Sequence, residues 1–234
     1  MHLQSVYPTA GQMGGAGRFG YSPQAHLTES TPLVSPETRE SLLASWTPYW
    51  DLSRPILLEK SPPNLLKTRF LQALFPASYF VVVIRHPAVI AYATARWNRR
   101  GTRTWKNPPH AQIEHWLTCH ETLEADASHV RRLILTRYEN LVTSPDQELS
   151  RLWRFLGLSP TATVHEAKHG LDDKYFNRWA LPWNPVKYAY KRGVTKRLEP
   201  RVRRWGYSLT TAAPTHGAEA SVLSTSPART QSYA

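Results

Sequence analysis

Apolar residues fall into a few short runs along the chain. The strongest, residues 79–84 (Tyr-Phe-Val-Val-Val-Ile), is continuous rather than alternating. This pattern predicts a β-strand buried on both faces, as in a parallel sheet covered by helices. Weaker runs at residues 56–58 and 133–136 predict two further strands.

Other apolar residues recur at the spacing of a helix that buries one face. Ser144 and Gln147 fit a capping box at the start of one such helix, and Gly157 fits its C-terminal stop. The predicted helices cover residues 36–46, 64–75, 88–97, 112–126 and 145–156. Alternation of strands and helices predicts an α/β fold with a parallel sheet flanked by helices.

Composition divides the chain into three parts. Residues 1–35 are rich in Gly, Pro, Ser and Thr and are predicted to be loop-rich, whereas residues 36–209 carry the α/β pattern. A helix is predicted near residues 187–205, with Pro200 interrupting or bending it. Residues 210–234, mostly Ala, Ser and Thr, are predicted to be a disordered tail.

The chain is basic, with 29 Lys and Arg against 17 Asp and Glu, a net charge of +12. This favours phosphorylated or polyanionic partners over neutral ones. Eight basic residues lie between residues 187 and 204, although such runs are often only solvated faces. Charge alone permits RNA, a nucleotide cofactor or an acidic protein, and nucleic acid stays an alternative partner.

Several classes of protein are excluded or left without support. The single cysteine, Cys119, excludes a disulfide framework and a multi-cysteine metal site, and no histidine spacing predicts a metal. The longest apolar run is far shorter than the roughly 20 residues of a membrane helix. Residues 1–4 begin no signal peptide, so the default expectation is the cytoplasm. If the chain lacks part of its N-terminus, a location at the Golgi membrane is the alternative expectation.

Arg85 stands directly after the strongest predicted strand, and Pro87 suits the first turn of the helix that follows. Ligands of open parallel sheets bind beyond the carboxyl ends of the strands. An arginine there can grip a phosphate through two N–H groups, and the helix N-terminus adds backbone donors. The alternative is that Arg85 pairs with a structural carboxylate such as Glu139.

Glu59 and Lys60 follow the run at residues 56–58 in the same way. Lys60 can contact a phosphate or sulfate oxygen, and Glu59 can act as a base or orient Lys60. The alternative is a surface ion pair. Residues 15–20 match G-x-G-x-x-G, but neither a strand before them nor a helix after them is predicted, so they are interpreted as a flexible loop.

Four of these segments resemble, in order and spacing, the PAPS-dependent sulfotransferase family. They are residues 57–62 (Leu-Leu-Glu-Lys-Ser-Pro), 80–87 (ending Arg-His-Pro), 136–141 (Thr-Arg-Tyr-Glu-Asn-Leu) and 155–158 (Phe-Leu-Gly-Leu). The similarity runs over residues 23–209. It implies a fold related to nucleotide kinases, and transfer of the sulfuryl group of 3′-phosphoadenylyl sulfate (PAPS) to a hydroxyl or amine.

The resemblance also implies roles for the cofactor-binding residues. Arg85 would bind the 3′-phosphate of PAPS, and Tyr138 would lie near the cofactor. The family's helper serine, eight residues after the arginine, is replaced here by Ala93. Thr94 is the nearest substitute, turned about 100° around the helix.

For the transfer itself, the resemblance implies that Lys60 approaches the sulfuryl group, and Glu59 is the candidate base. The family's first strand and its K-x-G-T-T or x-x-G-T-S loop, which holds the 5′-phosphosulfate, are not found in the 234 residues. The fold is therefore expected to be incomplete at its N-terminus. The chain is either a truncated sulfotransferase or a non-catalytic binding protein of the same fold. No sequence motif specifies whether the acceptor is a small molecule, a glycan or a protein.

Overall fold

The computed structural model describes residues 4–97, 108–159, 170–181 and 184–214. Its elements, in chain order, are α1 (Pro36–Trp46), α2 (Thr68–Leu74), β1 (Phe80–Ile84), α3 (Pro87–Trp97), α4 (Pro109–Asp126), β2 (Leu133–Arg137), α5 (Tyr138–Thr143), α6 (Pro145–Leu156), α7 (Leu171–Ala180) and α8 (Pro185–Arg204). The predicted α/β class, with helices flanking a parallel sheet, is confirmed.

The sheet of the described residues consists of β1 and β2, which run parallel. Phe80 lies opposite Leu133, and Ile84 lies opposite Arg137. The connection between them contains α3 and α4, because parallel strands need a long crossover. Both strands therefore end at the same edge of the sheet, where the next residues of each chain segment lie side by side.

The chain divides into two compact units. The first unit comprises Met1–Ser78 and Thr118–Val130, and the second comprises Tyr79–Leu117 and Arg131–Ala234. Both strands belong to the second unit. The predicted boundaries at residues 35/36 and 209/210 stay predictions. Residues 210–214 of the predicted tail are described, and residues 215–234 lie outside the described residues.

In the first unit, a loop with glycines at positive φ folds over a small apolar cluster. Gly14, Gly15 and Gly17 have φ values of 93°, 86° and 75°, which side chains with a Cβ rarely adopt. The cluster beneath consists of Met13, Phe19, Ala25, Leu66 and Cys119. The described residues 4–35 contain no strand and no α-helix, so the interpretation of residues 15–20 as a loop is confirmed.

In the second unit, α8 supplies much of the core. Asn184 caps it by accepting the backbone N–H of Lys187 at 2.8 Å. The helix runs on through Pro200, so Pro200 does not interrupt it, and the alternative prediction of a bend stays a prediction. Leu198 and Val202 on either side of the proline are fully buried, and this packing outweighs the one backbone hydrogen bond that proline removes.

The predicted strand at residues 56–58 is wrong. The segment has no strand partner among the described residues, and its side chains are exposed, up to 76% for Leu58. The Trp50 Nε1–H donates to the Leu58 carbonyl at 2.9 Å. A short apolar run forms a strand only when a neighbouring strand pairs with it.

β1 is buried on one face, not on two as predicted. Val82 and Ile84 are buried, whereas Val81 and Val83 are 38% and 53% exposed. Successive side chains of a strand point to opposite faces, so β1 packs the face that carries Val82 and Ile84 and leaves the face of Val81 and Val83 partly exposed. A continuous apolar run cannot show which face its neighbours cover.

Two helix ends also differ from expectation. The predicted helix at residues 64–75 is split into a 3-10 turn, Pro62–Leu66, and α2, because the chain leaves helical geometry at Lys67. The Ser144 side chain makes no capping hydrogen bond to α6, so the predicted capping box does not form. Gly157 ends α6 in the left-handed conformation (φ 68°), as predicted.

Candidate functional site

Arg85 and Tyr138 lie side by side at the carboxyl edge of the sheet. Each is the residue directly after its strand, and the parallel register brings them together. The Arg85 guanidinium lies 4.2 Å from the centre of the Tyr138 ring. Its Nη2 donates to a carboxylate oxygen of Asp172, in the first turn of α7. The side chain of Arg85 is 23% exposed.

Glu139 contacts the backbone of the turn after β1 and does not contact the Arg85 side chain. One of its carboxylate oxygens accepts the backbone N–H of His86 at 2.9 Å, and the other accepts the Tyr207 hydroxyl at 2.8 Å. Arg85 therefore does pair with a carboxylate, as the alternative interpretation expected, but the partner is Asp172 rather than Glu139.

The buried ring of His86 fixes this turn further. Its Nδ1 accepts the N–H of Ala88 at 3.1 Å, so its proton lies on Nε2, which faces the carbonyl oxygens of Ser208 (2.9 Å) and Thr211 (3.1 Å). Burial lowers the pKa of His86, which keeps the ring neutral. The edge of Phe176 packs against it at 5.0 Å. The backbone carrying Arg85 is thus held from several sides.

The guanidinium keeps hydrogen-bonding capacity beyond the contact with Asp172. Its Nε is buried and has no hydrogen-bond partner among the described residues. α3 begins two residues later at Pro87, and the N-terminus of a helix favours anions. An oriented arginine beside a helix N-terminus is suited to a phosphate or sulfate.

Thr94 is not brought to Arg85 by any contact in the described residues. It lies on α3, half-buried, about 10 Å along the helix axis from Pro87 at 1.5 Å per residue. Its hydroxyl has no hydrogen-bond partner in the described ranges. Tyr138 is therefore the predicted cofactor residue that meets Arg85, and Thr94 stays a prediction.

Glu59 and Lys60 belong to the first unit. Glu59 is half-buried and accepts a hydrogen bond from the amide of Asn64. Burial raises the pKa of its carboxyl, against the opposing effects of Asn64 and the nearby Lys60 ammonium. Lys60 is exposed. A half-buried carboxyl beside an exposed lysine is chemically suited to proton transfer near an anion.

A comparison with protein families gives the description "Sulfotransferase family" over residues 17–162, more than half of the chain. The chain belongs to the sulfotransferase family. The family resemblance drawn from the sequence motifs is confirmed. Comparisons with curated proteins and with solved structures gave no match. The matched range contains the predicted site residues Glu59, Lys60, Arg85, Thr94 and Tyr138.

Sequence reasoning missed Asp172 as a neighbour of Arg85 in this family member. Asp172 and Asp173 form an acidic pair in the first turn of α7, an ordinary pattern at a helix start. Arg85 lies 87 residues earlier in the chain. No spacing rule connects two groups so far apart, so only the fold reveals their contact.

Sequence reasoning also missed an ion cluster in the first unit. Arg69 donates through Nε (2.7 Å) and Nη2 to the carboxylate of Glu29, and through Nη1 to Asp126 at 3.2 Å. His26 meets the other oxygen of Asp126 at 2.8 Å. Hydrogen bonds from Arg69 lower the pKa of Glu29 to about 2. This cluster ties the loop at residues 26–29 to α2 and the end of α4.

Two features are absent from the described residues. None of the helices in the described ranges is long and apolar enough to cross a bilayer. Across the same residues, no three His, Cys, Asp or Glu side chains gather as a metal site.

Proposed function

We propose that this sulfotransferase-family chain binds PAPS with the nucleotide's 3′-phosphate at Arg85. The observation that carries the proposal is the guanidinium itself. It is oriented at the carboxyl edge of a parallel sheet by the face of Tyr138, and its Nε has no partner among the described residues. These groups fit an anion, because they offer directed N–H donors in a half-buried position.

Phosphate suits this arrangement better than an uncharged group does. An arginine binds a phosphate through two parallel charge-assisted hydrogen bonds, and stacking on Tyr138 fixes the plane in which its donors lie. The net charge of +12 further attracts an anionic nucleotide. In this proposal Thr94, on the helix that follows, is a further ligand of the cofactor.

PAPS supplies an activated sulfuryl group, and the proposed reaction moves it to a hydroxyl or amine of the acceptor. The S–O bond to the phosphate breaks, a new S–O or S–N bond forms, and adenosine 3′,5′-bisphosphate leaves. Glu59 would accept the acceptor's proton, a role supported by the raised pKa of its half-buried carboxyl. Lys60 would stabilise the charge that develops on the leaving oxygen.

Calorimetric titration with adenosine 3′,5′-bisphosphate tests the binding step. Arg85→Ala should weaken binding about 10- to 100-fold, the worth of a charge-assisted pair of hydrogen bonds. The matched control is Arg203→Ala, which removes another arginine of the second unit that is paired to one carboxylate, Glu199. Equal binding by wild type and Arg85→Ala would refute the assignment.

The transfer step needs its own experiment. The pure chain is incubated with radiolabelled PAPS and a panel of phenol, peptide and desulfated glycan acceptors. Transfer that falls in Lys60→Met and Glu59→Gln, while nucleotide binding is kept, supports the proposed chemistry. Nucleotide binding with no transfer to any acceptor identifies the chain as a binding protein of the same fold.

A second candidate function rests on α8. Tyr188, Arg192 and Lys196 are exposed and recur every four residues, so they form one stripe along the helix. Such a stripe suits a single-stranded nucleic acid. Its affinity would fall with salt at a log–log slope of about −0.7 per phosphate contact. Absence of binding, or binding insensitive to salt, would discard this candidate.

A further inference from the structure

Asp172 takes a donor of Arg85 that the proposed function needs for phosphate. Arg85 Nη2 donates to Asp172 Oδ1, while the guanidinium face lies on Tyr138. A carboxylate and a phosphate oxygen are both anionic acceptors, so they compete for the same N–H group and repel each other when close.

The packing of α7 directs the Asp172 side chain toward Arg85. Asp172, Phe176 and Trp179 are spaced i, i+4, i+7 and lie on one face of α7. Phe176 packs on the ring of His86 at 5.0 Å, and Trp179 Nε1–H donates to the Leu209 carbonyl at 2.7 Å. These two anchors fix the rotation of α7, so Asp172 faces the strand end.

The same contact is able to open. The side chains of Arg85 and Asp172 are 23% and 26% exposed, so Asp172 can rotate about its own two bonds toward water without burying its charge. Separating this partly exposed ion pair therefore costs little free energy, whereas separating a fully buried pair would cost much more.

We propose that Asp172 is the affinity-determining residue of the 3′-phosphate site, an internal competitor that the nucleotide displaces. This inference rests on the proposed function of Arg85. Without nucleotide, Asp172 neutralises the guanidinium. The 3′-phosphate, with its greater charge, takes over the Nη2 donor. As the product leaves, Asp172 pairs with Arg85 again. The contact thus lowers the affinity for the bisphosphate product and favours its release.

The experiment compares two neighbouring aspartates. Asp172→Asn removes the competing charge, and Asp173→Asn removes an equal charge from the same exposed helix turn. Dissociation constants are measured by calorimetry for adenosine 3′,5′-bisphosphate and for adenosine 5′-phosphate, which lacks the 3′-phosphate. Circular dichroism melting verifies folding, and Asp172→Ala is the second variant should Asn disturb the helix.

Asp172→Asn should bind the bisphosphate about three- to fivefold more tightly, the upper part of the range expected for release from a partly exposed ion pair. Asp173→Asn should stay within about twofold of wild type, since its effect is only long-range. Binding of adenosine 5′-phosphate should change in neither variant. In an Arg85→Ala background, Asp172→Asn should have a clearly smaller effect, because the competed donor is gone and only the repulsion between carboxylate and phosphate is relieved.

Three results overturn the inference, and they separate it from the proposed function. If Asp172→Asn binds the bisphosphate no more tightly than wild type while Arg85→Ala loses it, Asp172 is not a competitor and the phosphate site stands. If Asp172→Asn and Asp173→Asn tighten binding equally, only net charge acts. If Arg85→Ala binds as wild type does, or if wild type does not bind, the proposed site fails and the inference fails with it.

Discussion

Arg69 in the first unit and Arg85 in the second are both largely buried arginines paired with carboxylates, yet their hydrogen-bonding contacts differ. Arg69 donates through Nε, Nη1 and Nη2 to two carboxylates, Glu29 and Asp126. Arg85 donates through Nη2 to a single carboxylate, and its Nε has no partner among the described residues. One guanidinium is fully engaged by the protein, and the other keeps capacity for a ligand.

The acids differ as well. Asp126 is 3% exposed and depends on Arg69 and His26, whereas Asp172 is 26% exposed and has water available. Burial makes the first cluster a structural tie, since an unpaired buried charge is unfavourable. Exposure leaves the second pair free to exchange partners. Both arginines form ion pairs, so under the proposed function it is the incomplete engagement of Arg85 by the protein that distinguishes it from the structural Arg69.

The largest effect should come from removing each arginine in turn. Arg69→Ala should lower the free energy of unfolding by about 2–3 kcal/mol, because it leaves Asp126 buried with one partner. Arg85→Ala should lower it by less than about 1 kcal/mol, because Asp172 is exposed. Guanidinium denaturation measures both. Equal losses would show that the two pairs do not differ as described.

The histidines provide the next comparison. His86→Ala should cost about 2 kcal/mol of stability, since it removes a buried ring and the donor to two carbonyl oxygens. The exposed His129 is the control, and His129→Ala should change stability by less than about 0.5 kcal/mol. Thermal melting measures both variants. A tolerant His86→Ala would mean that Glu139 alone holds the turn.

Lys67 predicts a dependence of stability on pH in the first unit. Its buried ammonium donates to the carbonyl oxygens of Ala25 (3.0 Å) and Pro63 (3.4 Å), and burial lowers its pKa to about 8 from 10.5. The folded state therefore loses this proton before the unfolded state does. Between pH 8 and 10.5 the contribution of Lys67 makes stability rise with pH.

The window from pH 8 to 9 isolates this effect, because burial raises the pKa of the Cys119 thiol to about 12 from 9, so its opposite contribution begins only above pH 9. Wild type should gain about 1 kcal/mol between pH 8 and 9 relative to Lys67→Met. Lys60→Met, at an exposed lysine, should follow wild type. Parallel pH curves for wild type and Lys67→Met would contradict a strained buried ammonium.

The last comparison concerns adjacent valines of β1, and one of them should give a very small effect. Val83→Thr should change stability by less than about 0.5 kcal/mol, because this side chain is 53% exposed. Val82→Thr should cost about 1–2 kcal/mol, because it places a hydroxyl on the buried face. Urea denaturation compares the two. A costly Val83→Thr would mean that another part of the protein covers that face in solution.

Local patterns were sufficient to predict much of this fold. The runs at residues 79–84 and 133–136 became a parallel pair, and Gly157 ended its helix where predicted. The position of Arg85 after β1 followed from strand length alone. Each of these features depends on residues close together in the chain, so the periodicity of side chains carries the information.

The errors came from contacts between distant residues. Nothing near residues 56–58 shows that no strand pairs with them, and nothing near Val83 shows that its face is uncovered. Lys67 interrupts an apolar stripe, yet its burial depends on the carbonyl oxygen of Ala25, 42 residues earlier. The contact between Asp172 and Arg85 likewise cannot be predicted from the residues around either one. The site was predicted as isolated residues, and its pairing was supplied by the fold.

The hydrogen bond from His86 Nε2 to the Ser208 carbonyl also has a consequence for protein synthesis. The two residues are 122 positions apart, and the chain emerges from the ribosome in order. The turn that carries Arg85 therefore stays incompletely braced until residues 207–211 are translated. A premature stop codon just before this segment would leave every proposed site residue in place while removing the brace that orders the most important of them.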